Sequence, residues 1–422
     1  MKSTAILIFL FCVLPFSVVH AQTFKVGAAM RVITPKELLP ISGGMGAPEL
    51  PTGKQGDLFV RALVLENEET RTAIVSIDNL GWPAVLGERS RKLVPHIPPE
   101  NILIGVTHTH SAPDAYAFSD ENGNTGADLD YLDWCVIQIA DAINEAFSKL
   151  EPAAIKTAVG KANGKIAYNY YAPQLYDPRC GVIQAIATSG EEKGKVIATL
   201  VNYAIHPEIL GTKQKLISPD LCGPLYDRIE SKAGGIALFL NSAQGGMVTA
   251  DNRLEGGREA NNWDECIRIA HLLADEALRI IEPAPVQNNP ELKCLSKTVE
   301  FPIESNEMKT AFKNSPLLKV SARDAEFNVV SAQLNLLTIG TAQALTIPGE
   351  ALPNIGFFLK RKMATEQPFL FGLTNDALGY ILTKEDFNSF ERYRYISRTS
   401  LGEMTGEILV REAMQMIKNQ SD

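Results

Sequence analysis

Apolar and polar positions follow two patterns along this chain. Continuous apolar runs predict five buried strands, the first two forming a hairpin, at 61–66, 72–77, 101–106, 196–204 and 235–240. Apolar residues three or four positions apart predict five helices, at 128–150, 218–232, 258–281, 351–363 and 400–417. Segment 329–347 predicts two more strands around Gly340. This alternation predicts an α/β fold, a single domain with a mixed β-sheet flanked by helices and a site at the strand ends.

The first 21 residues have the features of a signal peptide. Lys2 supplies a positive charge, a continuous apolar run follows, and Val19-His20-Ala21 ends the segment with a small residue before Gln22. The run is too short for a membrane anchor, and no later stretch is apolar enough to span a bilayer. We therefore predict an exported protein, periplasmic or secreted, with a mature chain of residues 22–422.

Composition narrows the class of protein. A hydrophobic fraction of 45% and a charged fraction of 21% are typical of a globular enzyme. The net charge of −9 argues against nucleic acid or an anionic membrane as partner. The mature chain has an odd number of cysteines and no CxxC pair, so most of them are expected to be small buried residues. The Pro- and Asn-rich segment 282–290 is expected to be a surface loop within the domain.

Three histidines follow predicted strands. His108 and His110 come after the strand that ends at Val106, and His206 comes after the strand that ends near Ala204. In an extended segment, residues i and i+2 share a face, so His108 and His110 can point at one target. Imidazole is the commonest neutral metal ligand, and this arrangement suggests zinc. A solvated turn carrying two histidines is the alternative.

Glu350 is the candidate for a carboxylate ligand, because two histidines and one glutamate form a common catalytic zinc site. It ends the turn that follows Leu345 and is expected to open a helix, with Gly349 allowing the backbone to turn sharply. An acidic residue at a helix N-terminus also complements the helix dipole. The residues alone leave both explanations open.

Five blocks of the chain occur in the order of five known motifs: Thr107–Asp114 (THTHSGPGG-like), Asn202–Pro207 (N-[YW]-x-x-HP), Ser218–Leu225 (S-x-D-x-x-G-x-L), Pro348–Glu350 (PGE) and Asn375–Phe387 (N-x-x-x-x-Y-[IV]-x-T-x-E-[ED]-[YF]). Together with Val26-Gly27 and Ile33-Thr34-Pro35, they cover nearly the whole mature chain. In these blocks the chain resembles the catalytic domain of the neutral/alkaline, non-lysosomal ceramidase family.

The resemblance implies roles for individual residues. His108 and His206 would bind one zinc ion through imidazole, Glu350 through its carboxylate and Tyr380 through its phenol oxygen. His110 would not bind the metal but would act in catalysis beside the reacting carbonyl, passing a proton to the leaving amine, and Tyr380 would also belong to the catalytic group. Zinc would activate water for attack on an amide. Asp220 would either orient a ligating histidine or cap the following helix.

Three departures from the family pattern bear on the substrate. Gly246 and Val248 stand where the family has an aspartate and a serine, Asn169-Tyr170-Tyr171 stands where it has an arginine segment, and its C-terminal immunoglobulin-like domain is not found. Thr249, one residue from the serine position, is expected to face the opposite way. The Gly245-Gly246 pair predicts a bare loop that suits a compact polar group.

These features lead to one hypothesis and two alternatives. The hypothesis is a zinc-dependent hydrolase that cleaves an N-acyl bond by direct attack of water, on a small-molecule or lipid-like substrate other than long-chain ceramide. One alternative is a zinc-dependent esterase or deacylase acting on a carbohydrate or another small polar compound. The other is a non-catalytic binding protein that retains the metal pocket. The oligomeric state is left open.

Overall fold

The computed structural model describes residues 24–118, 124–320, 326 and 328–421. The signal peptide predicted for residues 1–21 therefore lies outside the described residues. Within the described ranges, no helix combines the length and the apolar composition that crossing a membrane requires.

The described residues form twenty strands and eight α-helices. The strands are β1 (Lys25–Val32), β2 (Ile41–Ser42), β3 (Gly53–Lys54), β4 (Phe59–Glu66), β5 (Arg71–Ile77), β6 (Ile102–Val106), β7 (Ala112–Pro113), β8 (Glu151–Lys161), β9 (Ala167–Asn169), β10 (Arg179–Ala187), β11 (Val196–Tyr203), β12 (Leu216–Ile217), β13 (Ile236–Asn241), β14 (Val248–Ala250), β15 (Leu292–Pro302), β16 (Val329–Ile339), β17 (Ala342–Thr346), β18 (Glu350–Ala351), β19 (Gln367–Phe371) and β20 (Tyr380–Ile381). The helices are α1 (Ala84–Arg91), α2 (Leu129–Ser148), α3 (Cys222–Ala233), α4 (Trp263–Ile281), α5 (Asn306–Asn314), α6 (Pro353–Lys362), α7 (Arg394–Arg398) and α8 (Thr405–Ser421).

The main sheet has eight strands in the order β13-β11-β10-β8-β1-β4-β5-β6. The outermost pair at each end, β13 with β11 and β5 with β6, is parallel, and the pairs between them are antiparallel. This arrangement confirms the predicted mixed sheet and the predicted hairpin of β4 and β5. All five predicted strands belong to this sheet.

A second sheet of four strands, β15-β16-β17-β19, packs against the first. Its apolar face meets the main sheet through a shared core that includes Leu63, Ile74, Leu200, Phe369 and Phe371. The main sheet is covered on its other face by α1 and α2 over one half and by α3 and α4 over the other. Helices α5, α6 and α8 cover the outer face of the second sheet. The result is a four-layered arrangement of helices, sheet, sheet and helices.

The two edges of the main sheet approach each other because the sheet curls. Side chains of β4 and β5 reach the outer edge of β13: Arg61 donates to the Ala237 carbonyl (3.0 Å) and Ser76 to the Phe239 carbonyl (2.5 Å). Gly105 of β6 leaves room for this contact, since a Cβ there would lie 2.7 Å from a Leu240 methyl. The curl brings the ends of β6 and β11 to one place.

Four of the five predicted helices begin two to five residues later than expected. The predicted starts at 218, 258, 351 and 400 become Cys222, Trp263, Pro353 and Thr405. For α4 the reason is the Asn262 side chain, which accepts a hydrogen bond from the Glu265 amide (3.0 Å) and so fixes the helix start. For α6 it is Pro353, which suits the first turn of a helix.

The cysteines behave as predicted. Cys135, Cys180, Cys222 and Cys266 are buried and unpaired, and Cys294 is half-buried and unpaired. The predicted loop at 282–290 runs along β8, where the Gln287 and Ile155 backbones exchange hydrogen bonds of 2.8 and 3.0 Å. It leads from α4 to the second sheet.

Candidate metal centre

His108 and His206 lie at the ends of β6 and β11, where the curl of the main sheet brings these strands together. Their ring centroids are 4.8 Å apart, and both residues are buried. His108 has a left-handed backbone (φ 69°), so its segment is not extended as we expected. The backbone of His108 is held by a hydrogen bond from its amide to the Asn79 carbonyl (2.9 Å), and the backbone of His206 by one to the Val248 carbonyl (2.9 Å).

Glu350 reaches the same point from the second half of the chain. Its Oε2 lies 3.1 Å from His206 Nε2 and 3.4 Å from His108 Nε2. The expectation that Glu350 opens a helix was wrong, because Glu350 forms strand β18 opposite Tyr380 of β20, and α6 starts only at Pro353. Helix-dipole complementarity therefore does not account for the carboxylate.

Gly349 is required here for a different reason from the one expected. Its φ is not in the left-handed region, but a Cβ at this position would lie 2.6 Å from the Gly379 carbonyl oxygen. The close approach of the two chain segments thus places Glu350 beside Tyr380.

The three ligand atoms have the chemistry of a metal site. The Nδ1 atoms of His108 and His206 contact the carbonyl oxygens of Leu80 (2.5 Å) and Val248 (2.8 Å). A carbonyl only accepts, so each Nδ1 carries the hydrogen and each Nε2 presents a lone pair. Unless His206 takes a second proton at Nε2, two lone pairs and a carboxylate oxygen face one another inside the protein, which is unfavourable without a metal cation among them. Tetrahedral zinc ligands are about 3.3 Å apart, given Zn–N and Zn–O lengths of about 2.0–2.1 Å.

Charge in this cluster is consistent with a cation site. Burial alone would raise the pKa of Glu350, but the charges and hydrogen bonds of His108 and His206 outweigh burial, and the net shift is downward. Burial would likewise lower the pKa of His206, but Glu350 and Glu208 reverse this effect and raise it to about 9. In the metal-free protein a proton on His206 therefore balances the carboxylate, and a metal would replace it.

His110 is the third histidine of the cluster. Candidate ligand atoms of His108, His110 and His206 all lie within 4.8 Å of one another, so this group can hold a metal ion. His110 Nδ1 lies 3.4 Å from Glu208 Oε2, and its buried Nε2 has no hydrogen-bond partner among the described residues. Burial and the neighbouring histidines hold the pKa of His110 well below its usual value, so the ring is neutral. Its position allows either metal binding or proton transfer.

Tyr380 lies in the same cavity as His108, His110 and Glu350. It is buried, and its hydroxyl contacts the Met247 sulfur at 3.4 Å. Burial and the charge of Glu350 raise the pKa of its phenol well above the usual value. The structure thus brings together every site residue predicted from the sequence.

Two residues important for this geometry were missed in the sequence. Asn241, at the end of β13, accepts a hydrogen bond from the Ile205 amide (3.1 Å) and donates to the Thr107 carbonyl (2.8 Å), so it fixes the segments next to both histidines. Glu208, beside His110, was the other. An asparagine that ends a buried strand and an acidic residue two positions after His206 were the available signals.

Asp220 fills neither of the roles proposed for it. Backbone carbonyls orient the two histidines, and the Asp220 carboxylate instead accepts hydrogen bonds from the amides of Leu210 (2.8 Å) and Leu221 (2.7 Å). Helix α3 begins two residues after it, with Leu221 as the preceding residue and no side-chain cap. Asp220 therefore joins the segment after His206 to the start of α3.

Two cavities meet at His110 and Gly43. The smaller one has a volume of about 50 Å³ and a mainly apolar lining, and it contains the cluster residues His108, Glu350 and Tyr380. The larger one has a volume of about 280 Å³ and a lining rich in polar side chains. The candidate metal centre therefore adjoins one apolar and one polar space.

The loop at 243–249 differs from our expectation. Thr249 lines the polar cavity, whereas Val248 is fully buried, so Thr249 and not residue 248 faces the site. The pair Gly245-Gly246 does not form the bare loop that we predicted, because both glycines pack against other residues. A Cβ at Gly245 would lie 2.2 Å from the Glu350 carbonyl oxygen, and Gly246 packs on Leu352 with a φ of +70°. These glycines allow the loop to pack against the Glu350 segment.

The fold is similar to that of solved neutral ceramidase structures. Neutral ceramidase from Pseudomonas aeruginosa matches with a TM-score of 0.78 and 16% identity, over 94% of this chain and 75% of that chain. A ceramidase complexed with C2 matches with a TM-score of 0.78 and 16% identity, over 95% and 76% of the two chains. No protein-family model matches the sequence, and neither does any curated protein. The comparison confirms, at the level of the fold, the resemblance drawn from the motifs.

Proposed function

We propose that this protein is a zinc-dependent hydrolase that cleaves an amide bond between an acyl group and an amine. The observation that carries the proposal is the meeting of two imidazole lone pairs and the Glu350 carboxylate at one buried point. In this proposal His108 and His206 hold zinc through Nε2, Glu350 through Oε2 and Tyr380 through its phenol oxygen. The likeness to ceramidases, which is one of fold, supports the choice of an amide.

Zinc would supply Lewis-acid activation of water and of the substrate carbonyl. The chain's own residues perform the remaining work. Leu80 and Val248 hold the two histidines in the tautomer that presents Nε2, and a mainly apolar cavity adjoins them. His110 is neutral and can accept a proton from the attacking water and give it to the leaving nitrogen.

The reaction balances with water as the only co-reactant. The oxygen of water bonds to the carbonyl carbon, the carbon–nitrogen bond breaks, and the nitrogen leaves with a proton, so that a carboxylic acid and an amine are formed. No residue needs to form a covalent intermediate, and Val248 has no hydroxyl that could do so. We further propose that residues 22–422 form the catalytic domain and that the protein is exported, to the periplasm or beyond, after removal of residues 1–21.

A substrate panel with and without metal tests this function. The purified protein is assayed against N-acyl and O-acyl compounds, then treated with a chelator, and finally resupplied with zinc. We expect amide cleavage that the chelator abolishes and zinc restores. Faster cleavage of the O-acyl compounds would support the esterase alternative, and stoichiometric zinc without turnover on either series would support a binding protein.

A further inference from the structure

The two cavities beside His110 differ in size and in chemistry, and this difference identifies a substrate class. We propose that the apolar cavity takes a short acyl group and the polar cavity a compact hydrophilic amine that is neutral or cationic. This inference rests on the proposed hydrolase function and adds the two halves of its substrate.

The apolar cavity suits the acyl half. Its walls are formed largely by Met45, Leu80, Tyr116, Phe118 and Met308, and its volume is about 50 Å³. Tyr116 and Phe118 stack with ring centroids 5.0 Å apart, and Tyr116 is buried, so this wall is firmly packed. A space of this size holds only a few carbon atoms. A long chain would have to displace packed side chains, which protein interiors resist.

The polar cavity suits the amine half. Glu208, Thr249 and Tyr170 present a carboxylate, a hydroxyl and an exposed aromatic ring to it, and Glu259 and Asn261 lie on its wall. A hydrocarbon chain in this space would remove these groups from water without replacing their hydrogen bonds. A hydroxylated amine or a second ammonium group would replace them.

Charge in the polar cavity selects among hydrophilic amines. Two carboxylates, Glu208 and Glu259, line it against one ammonium, that of Lys213. This excess of carboxylates repels an amine that carries its own carboxylate and attracts a cationic one. This balance favours amino sugars, amino alcohols and diamines over amino acids.

The position of His110 assigns the two halves to the two cavities. It lines both spaces, and its Nδ1 faces Glu208 of the polar cavity. The scissile nitrogen must lie within reach of the group that protonates it. With the acyl chain in the apolar space beside Glu350, the amine lies on the other side of His110, in the polar space.

The test measures kcat/KM of the zinc-loaded protein on two substrate series. The first varies the acyl group on glucosamine from acetyl through butanoyl and octanoyl to palmitoyl. The second keeps butanoyl and varies the amine among glucosamine, putrescine, glycine and dodecylamine. We expect at least a tenfold fall from butanoyl to octanoyl. We also expect at least a tenfold preference for glucosamine or putrescine over glycine and dodecylamine.

Variants locate each preference in its cavity. Met308→Ala should shift the optimum towards octanoyl while leaving the amine preference unchanged, and Met45→Ala, at a less buried position, is the second variant if the first folds poorly. Glu259→Gln should reduce the preference for putrescine over glycine by about fivefold, as expected for one exposed charge. Glu255→Gln, at an exposed position outside the cavity lining, is the matched control and should change neither preference.

Binding of free putrescine to the zinc-loaded protein separates this inference from the proposed function. Binding that Glu259→Gln weakens and Glu255→Gln does not, without turnover of any amide, would retain the polar subsite and overturn the hydrolase. Best turnover on the palmitoyl amide or on the dodecylamine amide would retain the hydrolase and overturn the assignment of the cavities. Failure of both binding and turnover would overturn both.

Discussion

The two sheets contribute different chemistry to the candidate metal centre. The main sheet supplies imidazoles from the ends of β6 and β11. A backbone carbonyl of another segment orients each ring, Leu80 after β5 for His108 and Val248 of β14 for His206. Segments next to strands of the second sheet supply the proposed oxygen ligands, Glu350 from β18, which follows β17, and Tyr380 from β20, which follows β19. Strands β18 and β20 pair with each other. Neither side alone has a complete ligand set, so the site forms only when the two sheets are packed together.

Asparagines from the sequence motifs join the two sheets. Asn202 of β11 donates to the carbonyls of Leu240, Asn241 and Leu370 at 2.8–2.9 Å, and Leu370 belongs to the second sheet. Asn375 accepts from Arg91 (2.8 Å) and the Ile104 amide (3.2 Å) of the main-sheet side and donates to Asn335 (2.8 Å) of β16. These motif residues therefore position the proposed metal ligands through the packing of the sheets.

The largest expected effect is on the imidazole side. His206→Ala or His108→Ala should reduce bound zinc from about one equivalent to a small fraction, and activity by about 10³-fold or more, because the remaining ligands no longer form a closed set. Metal analysis of the purified variants measures this. His271→Ala, on α4 and away from the cluster, is the control. Full zinc content in both variants would contradict the ligand assignment.

Substitution of His110 tests whether one of the three histidines acts in proton transfer without binding the metal. His110→Ala should keep about one zinc per chain while kcat falls by about 10²-fold, the usual loss for an acid–base group. Zinc content and kcat are measured on the same preparation. If the zinc is lost as well, all three histidines bind the metal and the role of proton carrier belongs to another group.

The sequence allowed prediction of five of the eight strands of the main sheet, without β1, β8 and β10, and of the residues that come together at the candidate site, but not of how they meet. Apolar runs identify strands because burial on both faces leaves few alternatives, but the same runs do not show which sheet a strand joins. The meeting of His108 and His206 depends on the curl of the main sheet, and His108 has a left-handed backbone that an extended segment would not have. Asn241 was missed because its partners, Ile205 and Thr107, are distant in sequence. The late start of α4 depends on the Asn262 cap, and that of α6 on Pro353.

Asp376 allows a test of the packing between helix α1 and the segment that follows β19 of the second sheet. It is buried beside Asn375, and its Oδ1 accepts from the Ala84 amide (3.1 Å) at the start of α1. Burial raises its pKa to about 7, against 3.8 for the unfolded chain. The folded state therefore keeps the proton longer, and stability that is fully present below about pH 4 is lost as the pH rises towards 7.

Asp376→Asn removes this loss because an amide does not ionise. We expect the stability of the variant relative to the native protein to rise between pH 4 and 7.5 by up to about 4 kcal/mol, because the pKa rises from 3.8 to about 7 and each tenfold change in proton affinity is worth about 1.4 kcal/mol. Denaturant unfolding of both proteins in chelator at pH 4, 5.5 and 7.5 measures it. A difference that does not change with pH would show that the buried carboxyl does not titrate in this range.

Tyr380→Phe tests whether the phenol oxygen of Tyr380 contributes to zinc binding. It removes one hydroxyl and retains the buried ring, so the fold should persist while zinc affinity falls by about tenfold, the lower end of losses for a group that supports a metal site. Competition with a chelator of known affinity measures the change. An unchanged affinity together with lower kcat would place Tyr380 in catalysis alone.

Thr249 should have the smallest effect, although it faces the site from the main-sheet side. It lines the polar cavity, and its hydroxyl is the one nearest in sequence to the position of the family's serine. A β-branched hydroxyl is a hindered nucleophile, and attack by water does not require one. We therefore expect Thr249→Ala to keep activity within about threefold, through loss of one hydrogen bond to the amine. Trapping with a slow substrate followed by mass spectrometry should find no acyl group on the chain. An acyl adduct on Thr249, lost in Thr249→Ala together with the activity, would replace direct attack by a covalent mechanism.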